Sequence, residues 1–240
     1  MRVYLTGRGA FGSAVASALA DRHQIVGVAS PAYRDTRLPR GMVADDPAAE
    51  FDRLRVWAVE NRAPWTDTPT LRAGDIPVGT DVIVAAHSHA FVSRKARMRA
   101  TYAVGYHPSL LPLHRGRDAV RWTIRDRDRV TGGSVYHLTD SVDAGPLAAQ
   151  EHVLVPPDAD ARGLWRGSLF PLGVALLVRV LADLEAGTVV AVPQDEPLAT
   201  WEPSWDRPPM HRPELPELPA ANGGVAYETR LEALRGYATR

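Results

Sequence analysis

Two periods alternate along the first third of the chain. Val3 to Leu5 is a short apolar run that ends in Thr6-Gly7. Ala10 to Leu19 carries small and apolar residues in the manner of a packed helix, and Gln24 to Val28 is a second apolar run closed by Ala29-Ser30-Pro31. Strand, helix and strand within about thirty residues predict a βαβ unit, and hence a parallel pair. Residues 32–46 are polar and rich in Arg, Pro and Asp, the composition of a loop. Asp46-Pro47 fits an N-cap followed by proline at the first helical position. Phe51, Leu54, Trp57 and Ala58 then form an apolar stripe at helical spacing, to about Asn61.

The same patterning continues. Pro64-Trp65 is expected to be extended, and Thr70 to Ala73 a brief helix or turn. Asp81 to Ala86 is the cleanest buried strand, its apolar part continuous as in a strand covered on both faces. Ala103 to Tyr106 is a further short strand, and Asp118 to Arg125 reads as helical. Gly133 to Leu138 and Leu147 to Val155 read as two strands around a glycine-containing turn. Leu169, Leu172, Leu176, Val180 and Leu184 recur near the helical period within residues 160–186. Pro171 should kink or split that helix, and Gly187 should end it. Val189 to Val192 is expected as a last strand. Prolines then crowd the chain from Pro193 to Pro219, which predicts an extended arm anchored by Trp201 and Trp205 and a short helix near 226–236. The expected division is a core at 1–205 and a C-terminal arm at 206–240.

Composition narrows the chemistry. The 240 residues hold no cysteine, which excludes disulfides, thiolate metal sites and cysteine nucleophiles. No metal site is expected from the scattered His and Asp residues. With 28 basic and 28 acidic side chains the net charge is zero, so there is no electrostatic footprint for nucleic acid or an anionic membrane. Lys95 is the sole lysine, a bias read as compositional because the arginines scatter instead of clustering. No apolar run approaches the roughly 20 residues of a membrane span. Leu172 to Leu184 is the longest, and it contains Arg179 and Asp183. A cytoplasmic protein is expected.

Three motifs carry candidate chemistry. Gly7-Arg8-Gly9-Ala10-Phe11-Gly12 is a GxGxxG between a strand and a helix, a turn that suits a pyrophosphate or close packing. The acid that would hold a ribose is missing, because the second strand ends Val28-Ala29-Ser30-Pro31. In the second motif, residues 105–116, His107 at a strand end is followed by Pro108 and Pro112 on a stiffened loop. Histidine is suited to proton transfer near neutral pH. The third is Asp140-Ser141-Val142-Asp143-Ala144-Gly145-Pro146, where a carboxylate able to meet the imidazole would orient it and stabilise its cation.

His107-Pro108-Ser109-Leu110-Leu111-Pro112 followed by Arg115-Gly116, then Trp122, Thr131-Gly132 and Val142-Asp143 with Gly145-Pro146, resembles the 10-formyltetrahydrofolate-dependent formyltransferase family. The resemblance covers roughly residues 1–205. It implies an α/β, Rossmann-like, mostly parallel sheet with flanking helices, and a first glycine turn that serves packing or the acceptor. It places the family's catalytic His and Asp on His107 and Asp143. The family's Asn falls on Gly105, a departure that removes an oxyanion donor; His87, Ser88 and His89 are candidates to replace it. The site also resembles the hydrolase domain of 10-formyltetrahydrofolate dehydrogenase, which likewise lacks that Asn.

The resemblance further implies that 10-formyltetrahydrofolate is the formyl donor, bound by Val84, Ala86, His87, Ser88, Leu138, Thr139, Asp140 and Val142. Gly9, Ser109, Arg115, Gly116 and Arg117 are expected on the acceptor side. Arg117 and Asp118 either face the acceptor as a charge pair or mark a helix N-terminus, where the macrodipole favours Asp118. The stretch after residue 205 is short of an ordinary domain. With the zero net charge, that points to a small-molecule amine or water as acceptor, with no nucleic acid or membrane partner. A homodimer through the arm or the long helix is a further possibility. The reading from another class is a nicotinamide-dependent oxidoreductase that uses the GxGxxG turn.

Overall fold

The opening alternation becomes strand β1 (Arg2–Gly7), helix α1 (Gly9–Ala20) and strand β2 (Gln24–Ser30) in a computed structural model, which describes residues 1–30, 53–88 and 90–202. Then follow α2 (Arg53–Glu60), β3 (Trp65–Asp67), β4 (Thr70–Leu71), β5 (Val82–Ala86), β6 (Phe91–Val92), α3 (Arg94–Arg97) and β7 (Tyr102–His107). The remainder is β8 (Arg115–Gly116), α4 (Ala119–Arg125), β9 (Val130–His137), β10 (Leu147–Leu154), α5 (Ala161–Leu164), α6 (Phe170–Glu185) and β11 (Trp201–Glu202). The loop read at 32–46, the Asp46-Pro47 cap, Phe51, His89, Trp205 and the helix near 226–236 lie outside the described residues.

Seven strands form one sheet in the order β10-β9-β7-β5-β1-β2-β3. The five from β7 to β3 are parallel, β9 runs antiparallel to β7, and β10 runs antiparallel to β9. The continuous apolar character of β1 and β5 follows from burial on both faces. Val3, Leu5, Val82, Val84 and Ala86 face a core shared with α1, α2 and α6. Tyr4 and Ile83 face a smaller core with Leu71, Val92 and Ala96. In β7, Val104 and Tyr106 take the first face. Strand alternation therefore puts Gly105 and His107 on the second.

Connections run from β1 outward to β2 and β3, then back across to β5 and β7. The chain thus reverses between β1 and β5, and a crevice opens beyond their carboxyl ends, where open α/β sheets bind ligands. Gly7 and Ala86 are paired at that point. A Cβ on Gly7 would sit 2.5 Å from the Ala86 carbonyl oxygen, so the turn glycine there serves close strand packing.

Some expectations shift. Thr70-Leu71 is a strand paired with β6, followed by a 3-10 turn at Ala73–Asp75, because a parallel partner outweighs the local turn signal. Val189 to Val192 makes only a bridge between Val192 and Leu147, since the following proline prevents a longer ladder. The predicted split near Pro171 is a π-helical turn at Trp165–Leu169, with the proline in the first turn of α6. Gly187 has φ +75°, as a helix stop requires. The helical stretch Ala161–Glu185 is also long and apolar enough to cross a membrane by length and composition, which corrects the expectation from uninterrupted apolar runs. Here Leu176, Leu177, Val180, Leu181 and Leu184 face the sheet. Burial of each such leucine is worth about 1.5–3 kcal/mol.

Gly173 lets α6 close on the sheet, because a Cβ there would lie 2.5 Å from Tyr106 Cε1 and 2.9 Å from Phe11 Cζ. Both neighbours are rings with little freedom. Gly173→Ala is expected to lower stability by about 1–3 kcal/mol by overpacking, measured as a lower urea midpoint at unchanged m-value.

Candidate active site

His107 is the last residue of β7, and Asp143 sits in the turn between β9 and β10. Both are buried, at 6% and 8% exposure. The His107 Nδ1 lies 3.5 Å from Asp143 Oδ2. His107 Nε2 is 2.7 Å from the His114 carbonyl oxygen. A carbonyl only accepts, so Nε2 carries a proton and Nδ1 is the nitrogen left for chemistry. Asp143 accepts at Oδ1 from the Tyr136 hydroxyl at 2.5 Å and at Oδ2 from the Gly116 N–H at 2.9 Å.

The loop that makes these contacts is itself clamped. Strand β8 pairs in parallel with β11, and the His114 N–H donates to Thr200 Oγ1 at 2.6 Å. The His114 ring lies between Asp128 Oδ2 at 2.8 Å and Glu202 Oε2 at 3.2 Å. Burial alone would lower its pKa, but these two carboxylates raise it to about 9, so the ring is an imidazolium at neutral pH. Gly116 has φ +104°, and a Cβ there would meet the Glu202 carbonyl oxygen at 2.2 Å. No other residue fits.

Beyond β1 and β5, at the sheet's reversal point, stand Arg8 and His87. The His87 ring meets Trp165 edge-on, with centroids 5.6 Å apart, while keeping a solvent-exposed side. Crowding by protein, then the charges of Arg8 and His107, hold its pKa below the usual histidine value, against a smaller opposing effect of Asp118. His87, His114, Asp118 and Asp143 all have positive φ, between 51° and 59°. Such left-handed residues cost free energy and gather at functional sites.

Residues 3–181 match the family model described as Formyl transferase. The chain belongs to the formyl transferase family. Human cytosolic 10-formyltetrahydrofolate dehydrogenase is 28% identical over 220 residues, which cover 87% of this chain and 24% of that protein. The chain therefore spans about a quarter of the length of that relative. Methionyl-tRNA formyltransferase from Chloroflexus aurantiacus is 37% identical over 208 residues, covering 83% of this chain and 64% of that enzyme. Among solved structures, the N-formyltransferase of Helicobacter canadensis in complex with folinic acid and dTDP-3-aminofucose shares the fold, with TM-score 0.67 at 13% identity, covering 87% of this chain and 72% of that one. HypX from Aquifex aeolicus with tetrahydrofolic acid has TM-score 0.58 at 19% identity, covering 85% and 30%. Membership in this family agrees with the resemblance carried by the His107 and Asp143 motifs.

Other expected site residues in this formyl transferase domain divide sharply. Val84 and Ala86 turn their side chains into the core, so only their main chain is available to a ligand. Ser88 shares a 2.8 Å hydrogen bond with Thr6. Thr139, Asp140 and Val142 are exposed and Leu138 is half-buried, and Asp140 pairs with Arg97. Gly9 has φ +58° and open space around its Cβ position, and Arg117 is exposed. Two of the residues expected on the acceptor side are buried and have partners within the protein. Ser109 is buried, and its hydroxyl donates to the Leu113 carbonyl at 2.6 Å. Arg115 is 1% exposed, its guanidinium bound to Gln194 and Glu196, because an unpaired cation cannot be buried. Asp118 stands at the start of α4 but makes no side-chain cap.

Sequence reasoning missed Tyr136, Gln194 and Glu202. Gln194 Nε2 donates to the carbonyls of Asp143 and Gly145, which links Arg115 to the Asp143 turn. Gln194 and Glu202 lie beyond the residues matched to the family, and no local spacing signals them. A groove of about 410 Å³ lined by Arg94, Arg97, Tyr102 and Leu138 opens at the start of β7. His107 is at the opposite end of that strand, about 16 Å away at strand rise, so this groove does not hold the reacting atoms.

The ion triad gives a pH signature. A His114 pKa raised in the folded state contributes stability that is full below about pH 6.5 and lost as pH rises through about 9. Glu202→Gln should flatten that fall, which amounts to up to about 3 kcal/mol in the parent. Urea unfolding of both proteins from pH 6 to 10 measures the difference; parallel curves would contradict the assignment.

Proposed function

We propose that this domain transfers the formyl group of 10-formyltetrahydrofolate to the amine of a small molecule such as an amino sugar, an amino acid or a nucleotide. The observation that carries the reading is the buried His107–Asp143 pair at the carboxyl edge of a parallel sheet, in a chain of the formyl transferase family. Two features support a small polar acceptor: the zero net charge and the opposite charges of Arg8 and Asp118 around His87 at the sheet's reversal point. The exposed loop of Leu138, Thr139, Asp140 and Val142, with His87 and the main chain of Val84 to Ser88, is the proposed seat of the pterin.

The acceptor amine forms its C–N bond at the formyl carbon, and the carbonyl electron pair moves onto oxygen. Collapse of that tetrahedral intermediate breaks the bond to N10 of the folate, and the proton lost by the amine ends on N10. His107 serves this sequence through Nδ1 alone, because its Nε2–H is committed to the His114 carbonyl. Donation from Nδ1 to the oxyanion means an imidazolium, and Asp143 at 3.5 Å is placed to stabilise that cation. Hydrolysis with water as acceptor is the second reading, favoured by Gly105, which leaves the formyl oxygen without the family's amide donor.

His107→Ala and Asp143→Asn are each expected to slow tetrahydrofolate release by at least about 100-fold, with little change in thermal midpoint. Full activity in both variants would overturn the assignment. Tetrahydrofolate release at full rate without any amine would identify water as the acceptor. Rate dependence on an added amine, with formylated product by mass spectrometry, supports transfer.

A further inference from the structure

Gly105 and Tyr136 face each other across the β7–β9 ladder as direct partners. A Cβ built on Gly105 would lie 3.3 Å from both Cε1 and Cζ of Tyr136 and 2.9 Å from Leu138 Cδ2. The space beside residue 105 is thus already filled, by Leu138 and by the Tyr136 ring. That ring reaches on to Asp143, where its hydroxyl donates to Oδ1 at 2.5 Å. Glycine at 105 leaves room for the tyrosine ring at 136.

We propose that Tyr136 is a positioning residue that takes over the volume left at Gly105 and holds the Asp143 carboxylate in one orientation against His107. The proposal rests on the formyl-transfer reading for its role in turnover, but the link to Asp143 stands by itself. The two carboxylate oxygens have separate partners: Oδ1 has the phenol, and Oδ2 has the Gly116 N–H and faces His107 Nδ1. Gln194, which carries Arg115, holds the Asp143 main-chain carbonyl. Among the described residues, His107 of β7 and Tyr136 of β9 are the titratable groups in contact with this carboxylate. Burial first, and then Asp143, push the Tyr136 pKa well up, so the phenol stays protonated and can only donate here. A hydroxyl donated to a carboxylate favours its charged form. It also fixes which oxygen faces the imidazole.

The test uses the full chain with Tyr136→Phe. The Asp143 carboxyl is titrated by carbon NMR without substrate, and kcat/KM for formyl release is followed against pH. We expect the acid limb of kcat/KM to move to higher pH in the variant, with the Asp143 carboxyl resonance following it. kcat at neutral pH should fall about tenfold or more, while KM for the folate stays nearly constant. Superimposable titrations and profiles would overturn the proposal. Gly105→Ala is a second variant, because its Cβ pushes the ring without removing the hydroxyl. It should shift the titration in the same direction, and the double variant should match Tyr136→Phe alone; additive shifts would overturn the proposal. If the titration shifts but the parent shows no formyl release, the link to Asp143 holds, and the formyl-transfer reading and the role in turnover that rests on it are overturned.

Discussion

Main-chain groups hold the His107–Asp143 pair. His107 Nε2–H donates a hydrogen bond to the His114 carbonyl, and two residues on the Gly116 N–H donates to Asp143 Oδ2. One short strand thereby sets both partners and the spacing between them. A peptide group has no rotamers to lose, so this support is stiffer than one built from side chains. Its placement depends in turn on β11, on the His114 ion triad and on the Arg115–Gln194–Glu196 network. The geometry of His107 and Asp143 is thus carried by what surrounds residues 113–117.

Charge burial around this loop is heavy for a protein of zero net charge. Arg115, His114 and Glu202 are all buried, and each ion has a partner of opposite sign. Such pairs add little net stability against an apolar substitute, but loss of one partner costs about 3–5 kcal/mol. The arrangement resists partial change. It keeps the loop in one position because every alternative strands a charge out of water.

The sheet was largely legible in the sequence because its strands are buried on both faces and its helices carry regular stripes. Val82 to Ala86 and the 161–185 helix needed no tertiary knowledge. His107 and Asp143 were legible for a different reason: rigid turns, with proline after the first and Gly145-Pro146 after the second, mark them. What stayed hidden was set by long-range pairing. Arg115 looks like a ligand-binding arginine until Gln194 and Glu196 arrive from about eighty residues downstream. Tyr136 gains meaning only when the β7–β9 register places it opposite Gly105. Thr70-Leu71 was misread because a two-residue strand has no period of its own.

The downstream origin of β11 also orders assembly. All seven strands of the main sheet precede residue 155, and the helix that covers them ends at Glu185. The clamp on the His114–Gly116 backbone comes from Gln194 to Glu202. A growing chain can therefore complete its core before the residues that clamp the His114–Gly116 backbone have been added.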